Sequence, residues 1–176
     1  MPKICLGTVQ FGMEYGITND SGQISKDEAK LILSKAYSNN IEFIDTAQSY
    51  GNSEKIIGET QPKHNKFKIF SKISPKEKNY WNKRDVENWE EKFQFSLQLL
   101  KKKSLEALFI HRSKDLLRKD SQLLIDWLSS LKSRSLIKNI GVSVYSKDEL
   151  KYIPLEKIQM IQFPLSIFDQ RFIQDG

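Results

Sequence analysis

Six short apolar runs alternate with stretches of helical period along the 176 residues, and runs two to six each carry a polar residue at or next to their C-terminal end. No G-x-G-x-x-G follows any of them. Together these observations predict an α/β protein of the TIM (β/α)8-barrel type, incomplete here, with about six parallel strands and their helices. Strands separated by helices join in parallel through right-handed crossovers. A doubly wound sheet satisfies that alternation too, so the polar strand ends decide: in a barrel they converge on one mouth where ligands bind.

The elements follow in order. "ICLGTV" (4–9) reads as the first strand. The first long helix starts at Ser25, where Ser25 and Glu28 form an S-x-x-E capping box. "IEFID" (41–45) is strand two, ending at Asp45, and "SEKIIGE" (53–59) is a short helix behind it. "KFKIFSK" (66–72) is strand three, ending at Lys72. A helix over about 84–102 places Val86, Trp89, Phe93, Leu97 and Leu100 on one face. "LEALFIH" (105–111) is strand four, ending at His111, and a helix over roughly 119–134 follows. "IKNIGVSV" (137–144), with Ser143 near its end, is strand five. Ser146 and Glu149 are expected to cap another short helix, and "IQMIQF" (158–163), with Gln162, is strand six. With no linker or low-complexity segment, residues 1–176 read as a single domain.

Composition narrows the function classes. Apolar residues make up 39% and charged ones 28%, the profile of an ordinary globular chain rather than a disordered one. The net charge of +6 arises from 28 basic and 22 acidic residues that are interspersed, which reads as a mixed solvated surface, with no nucleic-acid partner. The densest basic run, "KKKS" (101–104), closes a predicted helix, where cations complement the helix dipole. Cys5 lies in "KICLG" and is expected to be a small core residue. No run nears the length of a membrane span and no secretory leader is apparent, so a cytoplasmic location without a membrane partner is expected. A metal site is not expected, because His64 and His111 are the only histidines.

The chemistry is concentrated in "FIDTAQSYG" (43–51) and the strand ends. A phenol has a reference pKa near ~10, and a neighbouring ammonium favours its ionised form. Lys72 can supply that charge to Tyr50, Asp45 can hold Lys72 by an ion pair, and a neutral His111 can orient a substrate oxygen. Tyr50 is then a general acid suited to a carbonyl oxygen that gains negative charge. Hydride must come from elsewhere, which implies a nicotinamide cofactor. Each residue also has a plainer role: Asp45 as a cap, Tyr50-Gly51 as a loop pair, Lys72 as a solvated cation, His111 as an exposed turn.

These residues carry a resemblance. "LGTVQFG" (6–12), "FIDTAQSYGNSEKIIG" (43–58), "FSKIS" (70–74), "LFIHR" (108–112), "IKNIGVSVYS" (137–146) and "MIQFPLSIFDQR" (160–171) resemble, in order, the aldo-keto reductases, which are NAD(P)H-dependent enzymes on a TIM barrel. The resemblance implies Tyr50 as proton donor, Lys72 and Asp45 as its tuning pair, and His111 as the substrate-orienting residue. It also implies Ser143 and Gln162 as contacts to the nicotinamide carboxamide, and Gly7 and Thr8 as the backbone segment lining the cofactor site. NADPH or NADH would be the cofactor and a small-molecule carbonyl compound the substrate. "GTVQFGMEYGITN" and "GVSVYS" look like a bacterial subgroup associated with surface-sugar biosynthesis, so a sugar-derived carbonyl fits. Two departures stand out. Val144 replaces the Asn common after the strand-five Ser, and a closed barrel needs eight strands.

An incomplete barrel leaves strands one and six as apolar edges open to self-association or to another chain. The chain is therefore expected to be a fragment of a longer reductase, a product that pairs through those edges, or an open sheet with another role. Taken alone, it is expected to bind NADPH weakly or not at all. The competing functional class is a catalytically impaired or nucleotide-sensing module of the same fold. Tyr80 and Trp81, in the loop after strand three, are expected as walls of a substrate pocket.

Overall fold

The computed structural model describes residues 3–64 and 66–173. Six strands, β1 (Cys5–Gly7), β2 (Phe43–Asp45), β3 (Lys68–Ile73), β4 (Leu105–Ile110), β5 (Ile137–Ser143) and β6 (Met160–Gln162), form one sheet in the order β1-β2-β3-β4-β5-β6. All neighbouring pairs are parallel. Sequential order without a reversal is the barrel topology, and the six strands form a half-barrel.

Helices α1 (Val9–Gly12), α2 (Lys26–Ser38), α3 (Ser53–Thr60), α4 (Lys83–Leu100) and α5 (Gln122–Ser133) connect them, with 3-10 turns at Ser113–Leu117 and Lys147–Tyr152. The Ser25–Glu28 capping box forms as expected. At α4 an unforeseen box takes the same role: Asp85 N–H donates to Asn82 Oδ1 at 3.2 Å, and Asn82 N–H donates to Asp85 Oδ2 at 3.1 Å. The expected Ser146–Glu149 cap does not form. Glu149 instead accepts the Tyr145 N–H at 3.1 Å and the Ser113 hydroxyl, which ties the loop after β4 to the loop after β5. β1 is shorter than its apolar run because Val9 begins α1.

Alternation gives the sheet two faces. Ile44, Ile69, Ile73, Leu108, Ile110, Ile140 and Val142 face the helices and share their core with Leu33, Ile57, Phe93, Leu100, Leu128 and Leu131. Trp89 packs between Trp81, which meets it edge-on, and the tilted ring of Trp127, at centroid distances of 4.9 and 5.6 Å. Trp81 is thus a core residue, 2% exposed, with its indole N–H donating to Asp115 O at 3.0 Å. That corrects its expected place in a pocket wall; Tyr80 beside it is exposed. On the opposite face Phe43 stacks on Phe70 at 5.3 Å and Phe109 follows at 5.9 Å, filling the inside of the half-barrel. Gly141 is required there, because a Cβ would stand 2.4 Å from the Phe109 ring.

Cys5 is exposed, against the expectation of a core site. It pairs with Phe43 on β1, the edge strand, whose other side is open among the described residues. Apolar side chains also lie open near both edges: Ile4 and Leu31 beside β1, Leu165, Ile167 and Phe168 after β6.

Candidate active site

The face that carries Phe43, Phe70 and Phe109 ends, at the C-terminal end of the strands, in Asp45, Lys72, Ser143 and Gln162. Register fixes this. Lys72 pairs with Phe109, Phe109 with Gly141, and Ser143 with Gln162, so each stands on the inner side of its strand.

Lys72 Nζ donates to Asp45 Oδ2 at 2.6 Å and to the Thr46 carbonyl at 3.1 Å. The two side chains are 3% and 14% exposed, so this is a buried ion pair in the mouth. Asp45 Oδ1 accepts the Gln162 amide at 3.2 Å, and Gln162 Oε1 accepts the Ser143 hydroxyl at 3.3 Å. A hydrogen-bonded relay therefore runs Ser143–Gln162–Asp45–Lys72 and links β6 to β2 across the mouth.

Tyr50 stands above this relay on the β2–α3 loop. Lys72 Nζ lies 5.0 Å from its ring centroid, and the His111 ring meets it edge-on at 5.8 Å and 81°. Burial first, and the Asp45 carboxylate second, push the phenol up to about 12. This reverses the expected direction of tuning: the ammonium lies over the ring face and is already paired with Asp45, while the phenol is half removed from water. His111 is pushed down to about 4, by burial and then by the Lys72 ammonium, and is neutral at ordinary pH. Its Nδ1 lies 3.2 Å from Ser49 Oγ. When Ser49 donates there, Nε2 carries the N–H and the ring is a donor.

Two buried polar groups hold the Tyr50 loop. Thr46 donates to Ser53 Oγ at 3.0 Å, Ser53 donates to the Thr8 carbonyl at 2.9 Å, and Thr8 Oγ1 donates to the Asp45 carbonyl at 2.8 Å. All three hydroxyl residues are fully buried, so Thr8 clamps β1 to β2 with its side chain while Gly7 leaves open space above. Behind them Ser71 donates to the buried Glu54 at 2.7 Å, and burial raises the Glu54 pKa. Finally, α1 crosses the loop at Gly12, where a Cβ would stand 1.7 Å from Tyr50 O.

Asp45, Tyr50, Lys72, His111, Ser143 and Gln162 are thus brought together as the sequence predicts. Ser49, Ser53, Thr46 and Gly12 were not singled out from the sequence. Nothing in a small hydroxyl or a lone glycine marks it before the packing is known, although Tyr50-Gly51 followed by Ser53 hinted at a tight turn. Val144, at the position where Asn is common, is fully buried in the core and donates its N–H to Gln162 O at 2.9 Å.

A cavity of about 230 Å³ lies among Tyr50, Lys72, Ser143, Tyr145, Gln162 and Pro164. Its size and its amide and hydroxyl groups fit the carboxamide end of a nicotinamide. Ser143 and Gln162, which now bond each other at the long distance of 3.3 Å, are the groups that would hold it.

Comparison with known proteins agrees with this geometry. The model of the family described as the Aldo/keto reductase family matches residues 3–175. A Pseudomonas aeruginosa protein of the aldo-keto reductase type superposes with a TM-score of 0.76 at 24% identity, covering 94% of this chain and 64% of that one. An aldo-keto reductase from Klebsiella pneumoniae in complex with NADPH gives 0.63 at 19% identity, with 92% and 53% covered. The glycerol dehydrogenase of Gluconobacter oxydans gives 0.61 at 26% identity, with 98% and 54% covered. The chain therefore spans less than two thirds of the length of these structures. Curated protein sequences give no match.

Proposed function

The chain belongs to the aldo/keto reductase family, and from that premise we propose that its mouth belongs to an NAD(P)H-dependent reductase of small aldehydes or ketones, a sugar-derived carbonyl among them. The observation that carries this reading is the buried Lys72–Asp45 pair at 2.6 Å, set beneath the Tyr50 ring and beside a neutral imidazole.

The nicotinamide, when bound, supplies the hydride that reduces the carbonyl carbon. Tyr50 gives its phenolic proton to the carbonyl oxygen. With a pKa near 12 it is fully protonated at neutral pH, and a developing alkoxide is more basic than a phenolate, so transfer runs downhill. Lys72 lies close enough to stabilise the phenolate left behind, and Asp45 fixes Lys72 in place. His111 Nε2–H points a hydrogen bond at the substrate oxygen, and its depressed pKa keeps it a neutral donor. Gly7, Ser143 and Gln162 are the proposed cofactor contacts, with Asp45 beneath them and Thr8 contributing backbone.

Tyr50→Phe is the test. It should lower NADPH-dependent carbonyl reduction by at least about a hundredfold while NADPH fluorescence titration gives an unchanged affinity. Unaltered turnover refutes the acid role. Saturable NADPH binding by the unmodified chain without turnover across an aldehyde panel favours a nucleotide-sensing module.

A further inference from the structure

The opposite end of the half-barrel carries a second feature that the reductase reading does not use. Three loops, at the N-terminal ends of β3, β4 and β5, surround a groove of about 610 Å³. Lys66 and Lys68 line it from the first loop and strand, Lys102 and Lys103 from the loop before β4, Lys132 from the last turn of α5 and Lys138 from β5. Glu106 is the one carboxylate among the lining residues.

The local ion pairs do not neutralise this cluster. Lys138 pairs with Glu106 at 3.1 Å and Lys68 with Glu42 at 2.8 Å, while Lys66, Lys103 and Lys132 form no ion pair among the described residues. The dipole of α4 accounts for cations at its own C-terminus, near Lys102 and Lys103. The dipole of α5 likewise accounts for Lys132 in its last turn, and neither dipole accounts for Lys66, Lys68 and Lys138 at the same groove. Ser104 and Ser135 also line the groove, and their hydroxyls make no hydrogen bond among the described residues. Burial holds Lys102 below the usual lysine range.

We propose that this groove binds a small multivalent anion built of contiguous phosphate groups. Several ammonium groups around one concavity match a compact polyanion, whereas a nucleic-acid strand needs a basic track along an extended surface. Its volume lies within the usual range for small-ligand sites. The walls come from the central strands, so the site does not depend on what lies along β1 or β6. It is also independent of the reductase reading.

Calorimetric titration of the purified chain with tripolyphosphate, at about 150 mM salt where loose surface attraction is screened, tests this. The expected result is saturable binding at least about tenfold tighter than that of inorganic phosphate. Lys103→Gln/Lys132→Gln should weaken it by about tenfold or more with an unchanged urea midpoint, and Lys151→Gln, at an exposed lysine outside the groove, should leave it intact. ATP binding tighter than tripolyphosphate, with the same variant sensitivity, identifies a nucleoside triphosphate as the source of the phosphates; equal or weaker binding identifies a free oligophosphate. Absence of saturation, indifference to the double variant, loss on Lys151→Gln, or tighter binding of duplex DNA each overturns the proposal.

Discussion

Asp45→Asn probes the buried ion pair most directly. The Lys72 ammonium keeps its position but loses a full counter-charge at 2.6 Å, and the Thr46 carbonyl at 3.1 Å remains. Removing one partner of a buried pair costs about 3–5 kcal/mol, because the other charge stays buried and uncompensated. Asp45 is 14% exposed and one acceptor survives, which places the loss at the lower end, about 3 kcal/mol. With an m-value of about 2 kcal/mol/M, the urea midpoint should fall by about 1.5 M. Glu42→Gln is the control. It breaks a Lys68 pair at 2.8 Å whose side chains are 40% and 50% exposed, and such solvent-screened pairs contribute little to stability. Adding Lys72→Met to Asp45→Asn should restore part of the lost stability by removing the stranded charge. If Asp45→Asn shifts the midpoint no more than Glu42→Gln does, the pair is not insulated from solvent and the electrostatic account of the mouth fails.

His111 takes up a proton at about 4 in the fold against a usual value of 6.5, so the unfolded chain protonates first as the pH falls. Its contribution is complete above 6.5 and is lost progressively down to about 4, so His111→Gln should flatten the urea midpoint against pH in that window; an unchanged slope refutes the assignment. Tyr50 ionises near 12 rather than 10, so the tyrosinate absorbance missing from Tyr50→Phe should have its midpoint near 12, and rising pH from 10 to about 12 also destabilises the fold through this group. Equal loss of absorbance below 10 contradicts the burial of the phenol. Gly12→Ala should destabilise by about 1–3 kcal/mol, because its Cβ meets the backbone of Tyr50 and Ser53 at 1.7 and 2.4 Å. An unmoved urea midpoint would show that α1 does not press on the Tyr50 loop.

The architecture was legible because barrel strands obey local rules. Alternating periods gave the elements, and the strand-end residues Asp45, Lys72, Ser143 and Gln162 follow from side-chain parity along each strand. The candidate site was legible to the same extent, since five of its six members, all but Tyr50, stand on strands or directly after one. What escaped depends on packing between elements. Cys5 looks like core by its neighbours in sequence, but its exposure is decided by what lies beside β1. Trp81 sits in a polar loop, and only its edge-on packing against Trp89 makes it a core residue. The sense of the Tyr50 shift was misread because sequence offers the ammonium but neither the burial nor the angle at which Lys72 meets the ring.

The sequential strand order bears on how the chain is made. Each unit docks on the one before it, as Thr8 on Asp45 or Asp45 on Phe70, so contacts accrue in the direction of synthesis and little waits on distant partners. The Gln162–Asp45 hydrogen bond, 117 residues apart, stands outside that pattern. A nascent chain therefore acquires its ammonium–carboxylate pair early and the amide that braces it only once the sixth strand has emerged from the ribosome.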